Sequence, residues 1–324
     1  MTNFNPFNEM SFTSDRCFIC GEILNNENMS EEHIYPKWLQ TKFNLQTKKL
    51  CLLNSTMIMY KNLKIPCCKI CNNNMGKMFE KPIERAVEYG YDEFIKLDKD
   101  IIFLWLNKMS YGILYKELFL HFNRANPSEG SIYDKEYLCE HRMQYTFLQS
   151  INTNVKLSKR PYSMLIFKIK DYGKDNYWSY DNPFTHTFFI RMNDIGIIAH
   201  LMDNSFNEDY FLQFPEMCEL LDKPLHPIQF AELCARFQYK SSLFMRVPNY
   251  ILQYNNENKP ENIFPLEMSG IGYNTWIQKD YAKVLEFFWN DFNIPTNKIY
   301  HDNDCVLTYL RNEDGSFIDK IICC

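Results

Sequence analysis

Cys17-Phe-Ile-Cys20-Gly21 and Cys68-Lys-Ile-Cys71-Asn72, with Ser30-Glu31-Glu32-His33-Ile34-Tyr35-Pro36-Lys37-Trp38-Leu39 between them, govern how the rest of this chain is read. Each Cys-x-x-Cys presents two thiolates from one tight turn. Zinc favours four soft ligands in a tetrahedron, so Cys17, Cys20, Cys68 and Cys71 can close one structural site. Gly21 follows the first knuckle, where such a turn asks for a positive φ that glycine adopts freely. The 47 residues between the knuckles exceed the spacing of a compact zinc ribbon, so an inserted segment leaves and returns. Four ordinary buried thiols are the plain alternative, since cysteine is a common core residue; the paired spacing favours zinc. Cys67 adjoins the second knuckle, but three residues after it stands Ile70 and not another thiol, which makes Cys68 the better ligand.

Glu32, His33 and Asn72 carry a different chemistry. Hydrolysis of a phosphodiester needs a base to activate water and a cation to offset charge on the leaving oxygen. An imidazole titrates near neutrality, so a neutral His33 can accept a proton. A carboxylate and an amide oxygen are hard ligands suited to magnesium or manganese and not to zinc. A zinc ligand or a polar cap is the bland reading of His33.

The order Cys-x-x-Cys, acid-His-Ile-x-Pro, Cys-x-x-Cys-Asn resembles the zinc-containing HNH endonucleases of the treble-clef, ββα-metal superfamily, over roughly residues 15–85. The resemblance implies that His33 is the general base, that Glu32 and Asn72 hold a catalytic Mg2+ or Mn2+, and that the four cysteines hold zinc. It implies DNA as the substrate and, for composite members, a role in bacterial defence against phage. It departs from the common pattern in two places. Glu32 stands where many members have Asp, one methylene shorter. The middle Asn, which orients the His loop in the family, has two candidates here, Asn54 and Asn62. Two further readings stay open: a non-catalytic zinc module that binds nucleic acid or a protein partner, and an RNA-directed nuclease with the same chemistry.

Charge is unevenly distributed. From His33 to Phe79 there are eight lysines and no Asp or Glu. Residues 1–85 carry 11 Lys+Arg against 8 Asp+Glu, whereas the whole chain has a net charge of −5. The local excess suits phosphate contacts around the site, although lysine-rich surfaces also serve solubility. The acidic remainder argues against a chain that coats nucleic acid along its whole length.

The 324 residues, 46% hydrophobic and 16% aromatic, allow a sizeable core and suggest two domains. The expected division is a zinc-containing nuclease module over 1–85, followed by an α+β region over 86–324 that regulates, recognises or binds a partner such as an ATPase or sensor. The fold class is α+β. The polar N-terminus carries no signal peptide, and the twelve cysteines suggest a reducing cytoplasm. Ile101–Leu106 is strongly apolar, but Lys108, Lys116 and Glu117 interrupt the stretch after it, so a buried helix is expected and not a membrane span.

Helices are expected over 72–80, 83–98 with Pro82 at the first turn, 99–123, 133–149, 226–244 and 276–289. Strands are expected over 163–171, 184–192, 195–202 and 250–254, with a hairpin around Asn312-Glu-Asp-Gly-Ser316. His226-Pro-Ile-Gln-Phe-Ala-Glu232 reads first as a helix cap and second as a ligand site. Glu80, at helical spacing from Asn72, reads as a solvated residue more readily than as an extra metal ligand. His186 and His200 read as core or surface polar groups, and Cys323-Cys324 as no metal site.

Overall fold

The computed structural model describes residues 5–153, 155–171, 173, 176–245, 247–255, 260–266, 272–301 and 304–321. The fold is mixed α+β, as expected. Cys323 and Cys324 lie outside the described residues. Two compact units are formed, one from 1–89, 96–159 and 250–264 and the other from 90–95, 160–249 and 265–324. The division expected at residue 85 therefore does not coincide with the division between the units. The knuckle region cannot close a core from its own short strands and recruits helices from beyond that point.

In the first unit, strands Met29–His33 and Lys64–Cys68 pair antiparallel, with Glu32 opposite Ile65 and His33 opposite Lys64. Helix Lys69–Met75 starts at once from the second strand, and the Cys68 sulfur accepts the Cys71 amide as its cap. It runs through a π-helical turn, Gly76–Glu80, into helix Lys81–Tyr89. The π turn explains why Pro82 does not end the helix. A proline has no N–H and its ring strikes the carbonyl four residues back, and a wider turn relieves both. Gly90, at φ +89°, ends this run, so the helix expected over 83–98 is broken into Lys81–Tyr89 and Tyr91–Phe94.

The centre of this unit is helix Lys99–Glu117, buried almost all round. The buried helix expected after Ile101 is thus present, and no helix among the described residues is long and apolar enough to cross a membrane. Trp105 stacks on Trp38 at 6.2 Å, and helix Arg142–Gln149 packs alongside through Asn107 Nδ2, which donates to the Gln144 carbonyl at 2.8 Å. The helix expected over 133–149 divides at His141 into Lys135–Glu140 and Arg142–Gln149. Gly112 is where the long helix meets the strand pair: a Cβ there would lie 3.1 Å from Ile34 Cγ1 and 3.4 Å from Ile65 Cδ1. A small sheet of Tyr250–Tyr254, Pro260–Pro265 and Lys156–Leu157 belongs to the same unit.

The second unit is built on a four-stranded antiparallel sheet ordered Ser163–Lys168, Ile195–His200, Thr187–Met192, Tyr177–Asn182. The last strand departs from expectation: its Tyr-Trp-Ser-Tyr run lacks the aliphatic residues that mark the other three. Helix Pro227–Ser242 packs on the sheet, and a Cβ on Gly196 would lie 2.6 Å from the Phe230 ring, so only glycine allows that approach. Helix Gln278–Phe288 packs along it in turn. The hairpin expected near 312–316 reduces to a turn, with Asn312 N donating to the Ser316 carbonyl at 2.9 Å and one bridge from Arg311 to Phe317.

Candidate metal centre and its surroundings

Cys17, Cys20, Cys68 and Cys71 converge. Their four sulfurs all lie within 4.8 Å of one another, close enough for one metal ion to take all four as ligands. Local bonds explain how. Gly21, at φ +72°, returns its amide to the Cys17 carbonyl at 2.9 Å and closes the first knuckle. Phe18 N donates to the Pro66 carbonyl, and Tyr145 Oη to the Ile19 carbonyl at 2.7 Å, which ties that knuckle to the strand and to the helical core. Cys71 N lies 3.4 Å from Cys68 Sγ, and Asn152 Nδ2 lies 2.9 Å from Cys71 Sγ. Donors aimed at sulfur stabilise thiolates and orient metal ligands. Nothing in the sequence singles out Asn152, because 81 residues separate it from the cysteine it serves.

Without a cation the four thiols cannot all ionise at this spacing. Bonds from Cys20, Cys67 and Cys71 hold the Cys17 thiol far below its ordinary value, and Cys17 in turn pushes Cys20 up to about 12. A dication among the four sulfurs would favour the thiolate form of each. Cys67 Sγ stands 4.0 Å from Cys17 Sγ but outside the group of four, in agreement with Cys68 as the ligand. The donor set and its supporting N–H groups fit a structural zinc ion.

His33 closes the first strand, half-buried, across from Lys64. Burial first, then the charges of Lys37, Lys64 and Lys108, push its imidazole down to about 4. The ring is therefore neutral at pH 7 and able to accept a proton. Lys64 itself pairs with Glu31 at 2.6 Å. Asn72, on the knuckle helix, donates from Nδ2 to Ser30 Oγ at 2.9 Å, so its amide carbonyl is not spent in that bond.

Glu32 is differently placed from what a metal ligand needs. Its residue is 4% exposed, and its carboxylate forms an ion pair with Lys108, whose side chain is fully buried. Lys108 Nζ also lies 3.1 Å from Glu80 Oε1, 2.6 Å from the His33 carbonyl and 3.1 Å from the Ile34 carbonyl. Burial alone would push the ammonium down, but Glu32 and Glu80 outweigh it and the pKa of Lys108 rises, so it is charged at neutral pH. Glu80 is thus half of a partly buried ion pair and not the solvated residue expected. A magnesium or manganese ion, which keeps several waters, does not fit a carboxylate so enclosed and already neutralised.

Asn54 and Asn62 do not reach this centre in any described bond. Asn54 Oδ1 caps the turn at Thr56 N, and its Nδ2 donates to the His121 carbonyl at 3.0 Å. Asn62 ends a single 3-10 turn, Tyr60–Asn62. In the second unit, His226 Nδ1 accepts from Ile228 N at 3.2 Å and Gln229 Oε1 from His226 N at 2.8 Å, so that cluster is a helix cap. Glu232 is taken up by Arg236, Thr308 and Tyr309. His186 and His200 are buried, their rings 6.2 Å apart.

No protein-family model, no curated protein and no solved structure matches this chain.

Proposed function

We propose that the chain is an HNH-type endonuclease that hydrolyses phosphodiester bonds in DNA, with a zinc-stapled module presenting His33 as the general base. The observation that carries the reading is the place of His33: its half-buried imidazole ends strand Met29–His33 opposite Lys64 and within the field of Lys37, cations that would hold a phosphate against it. In this mechanism His33 takes a proton from water as the water oxygen attacks phosphorus. The bond from phosphorus to the leaving oxygen of the strand breaks, and that oxygen leaves with the bonding pair and takes a proton from solvent. Lys37 and Lys64 offset charge on the phosphoryl oxygens, as cations do in a polyanion site. Zinc at Cys17, Cys20, Cys68 and Cys71 fixes the frame and takes no part in the chemistry. Asn72 borders the same strand through Ser30. The resemblance implies defence against phage as the setting; the Mg2+ or Mn2+ it also implies at Glu32 and Asn72 does not fit the enclosed Glu32 carboxylate, and no step is routed through it.

A second reading has one observation in its favour. Because Glu32 is committed to Lys108, the module could bind DNA or a protein without cleaving it. The two are separated by incubating the zinc-loaded protein with supercoiled plasmid, with and without Mg2+ or Mn2+, beside His33→Ala. Nicking that vanishes in His33→Ala is the expected result. Binding without nicking in both proteins favours the non-catalytic module, and equal nicking by both removes His33 from the mechanism. The same assay with single strands and RNA reads the substrate class.

A further inference from the structure

The resemblance calls for an asparagine that steadies the His33 loop, and neither Asn54 nor Asn62 is bonded to it among the described bonds. The loop is nevertheless held. Lys108 Nζ donates to the carbonyls of His33 and Ile34, the two peptide groups that end the strand and set where the imidazole begins. We propose that Lys108 is the positioning residue of His33, and that Glu32 is its buried counter-ion and not a ligand for a divalent cation.

Three observations carry this. First, the ammonium faces four acceptors, two carboxylates and two carbonyls, with no exposed surface, so all its hydrogen-bonding capacity is spent at this one place. A lysine is tolerated in a helix core only when its charge is matched. Second, Gly112 lies one helical turn beyond Lys108 and lets the helix axis approach Ile34 and Ile65 within van der Waals contact. That approach brings the ammonium to the strand end. Third, Glu32 and His33 are adjacent on a strand, so their side chains point to opposite faces. The counter-ion lies on the core side while the imidazole is left toward the lysine-bearing face. Glu80 joins from the π turn, so the knuckle helix, the strand pair and the long helix meet at one charge.

The inference rests on His33 as the base, but its test does not depend on turnover alone. Zinc-loaded full-length protein, Glu32→Gln, Lys108→Met and the double variant would be compared in three measurements. Mn2+ binding, followed by water-proton relaxation, should be the same in the wild type and Glu32→Gln, including no binding in either. A loss of about tenfold or more in Glu32→Gln, the size typical of a disturbed metal site, would make Glu32 a ligand and overturn the proposal. In urea, the double variant should unfold at higher denaturant than Lys108→Met, because it carries no unmatched charge at Glu32. If Lys108→Met does not fold, a folded double variant shows the same coupling. A double variant that fails to fold while Glu32→Gln folds overturns the counter-ion assignment. The His33 ring signal in a proton–carbon correlation spectrum, assigned by its loss in His33→Ala, should move in the folded double variant. Plasmid turnover should fall by on the order of tenfold to a hundredfold at unchanged plasmid affinity. An unmoved His33 signal overturns the positioning role. A wild type that never nicks, with the signal moved and the coupling present, sinks the nuclease reading and leaves the assignment of Lys108 and Glu32 standing.

Discussion

At the scale of the residue, His33 and Lys108 show how neighbouring charges divide labour. Two carboxylates hold Lys108 charged, whereas burial and three lysines all disfavour an imidazolium at His33. For folding, the sign is fixed by a folded-state value of about 4 against an ordinary 6.5. Stability from this group is complete above pH 6.5 and is lost as pH falls through that window toward 4, because the unfolded chain takes up the proton first. If His33 is the base proposed above, the acid limb of kcat/KM for nicking should lie near pH 4, with a plateau from about pH 6 upward. The limb of kcat should lie higher, because a bound phosphate favours the imidazolium. Nicking rates at limiting and saturating plasmid, from about pH 4 to about pH 8, measure both. A kcat/KM limb at an ordinary histidine value would contradict this environment. The sequence makes His33, Glu32 and Asn72 visible as a set. Lys108 has a signal too, three residues after Trp105 and four before Gly112, in a helix that is buried almost all round. From sequence it reads instead as a break in a hydrophobic run.

At the scale of the element, the strand pair, knuckle helix and long helix form one packing unit whose spacing is set by Gly112. A branched side chain in Gly112→Val would strike Ile34, move the helix outward and withdraw Lys108 from the His33 carbonyl. Overpacking of this kind costs about 1–3 kcal/mol. Gly76 is the contrast. Its backbone is right-handed helical and a Cβ there meets nothing within 4 Å, so Gly76→Ala should stabilise by about 0.5–1 kcal/mol. Urea unfolding of the two variants checks both signs. The helices are legible because their apolar period is local, and Pro227 with His226 marks one start correctly. Their breaks at Gly90 and His141 are not, since both residues are tolerated near helix ends as well as between helices.

At the scale of the whole molecule, the chain divides into two compact units, and the four-cysteine cluster belongs to the first. Chelation of zinc should therefore lower one thermal transition and leave another in place, as read by calorimetry with and without a strong chelator. Cys68→Ser should abolish zinc content and mimic the chelated protein, whereas Cys67→Ser should retain one zinc per chain by elemental analysis, its sulfur lying outside the group of four. Equal zinc loss in both would mean that Cys67 shares the coordination. The sequence by itself determined the four-cysteine cluster, the α+β class, most helices and the identity of the residues around the strand end. Those depend on ligand type, short spacing and local periodicity. Only the tertiary structure decided that Glu32 turns inward to Lys108, that Asn152 serves Cys71, and that the first unit draws in helices far beyond residue 85. Each is a pairing between residues distant in the chain, chosen because a buried charge or polar atom must find its partner wherever the fold brings one.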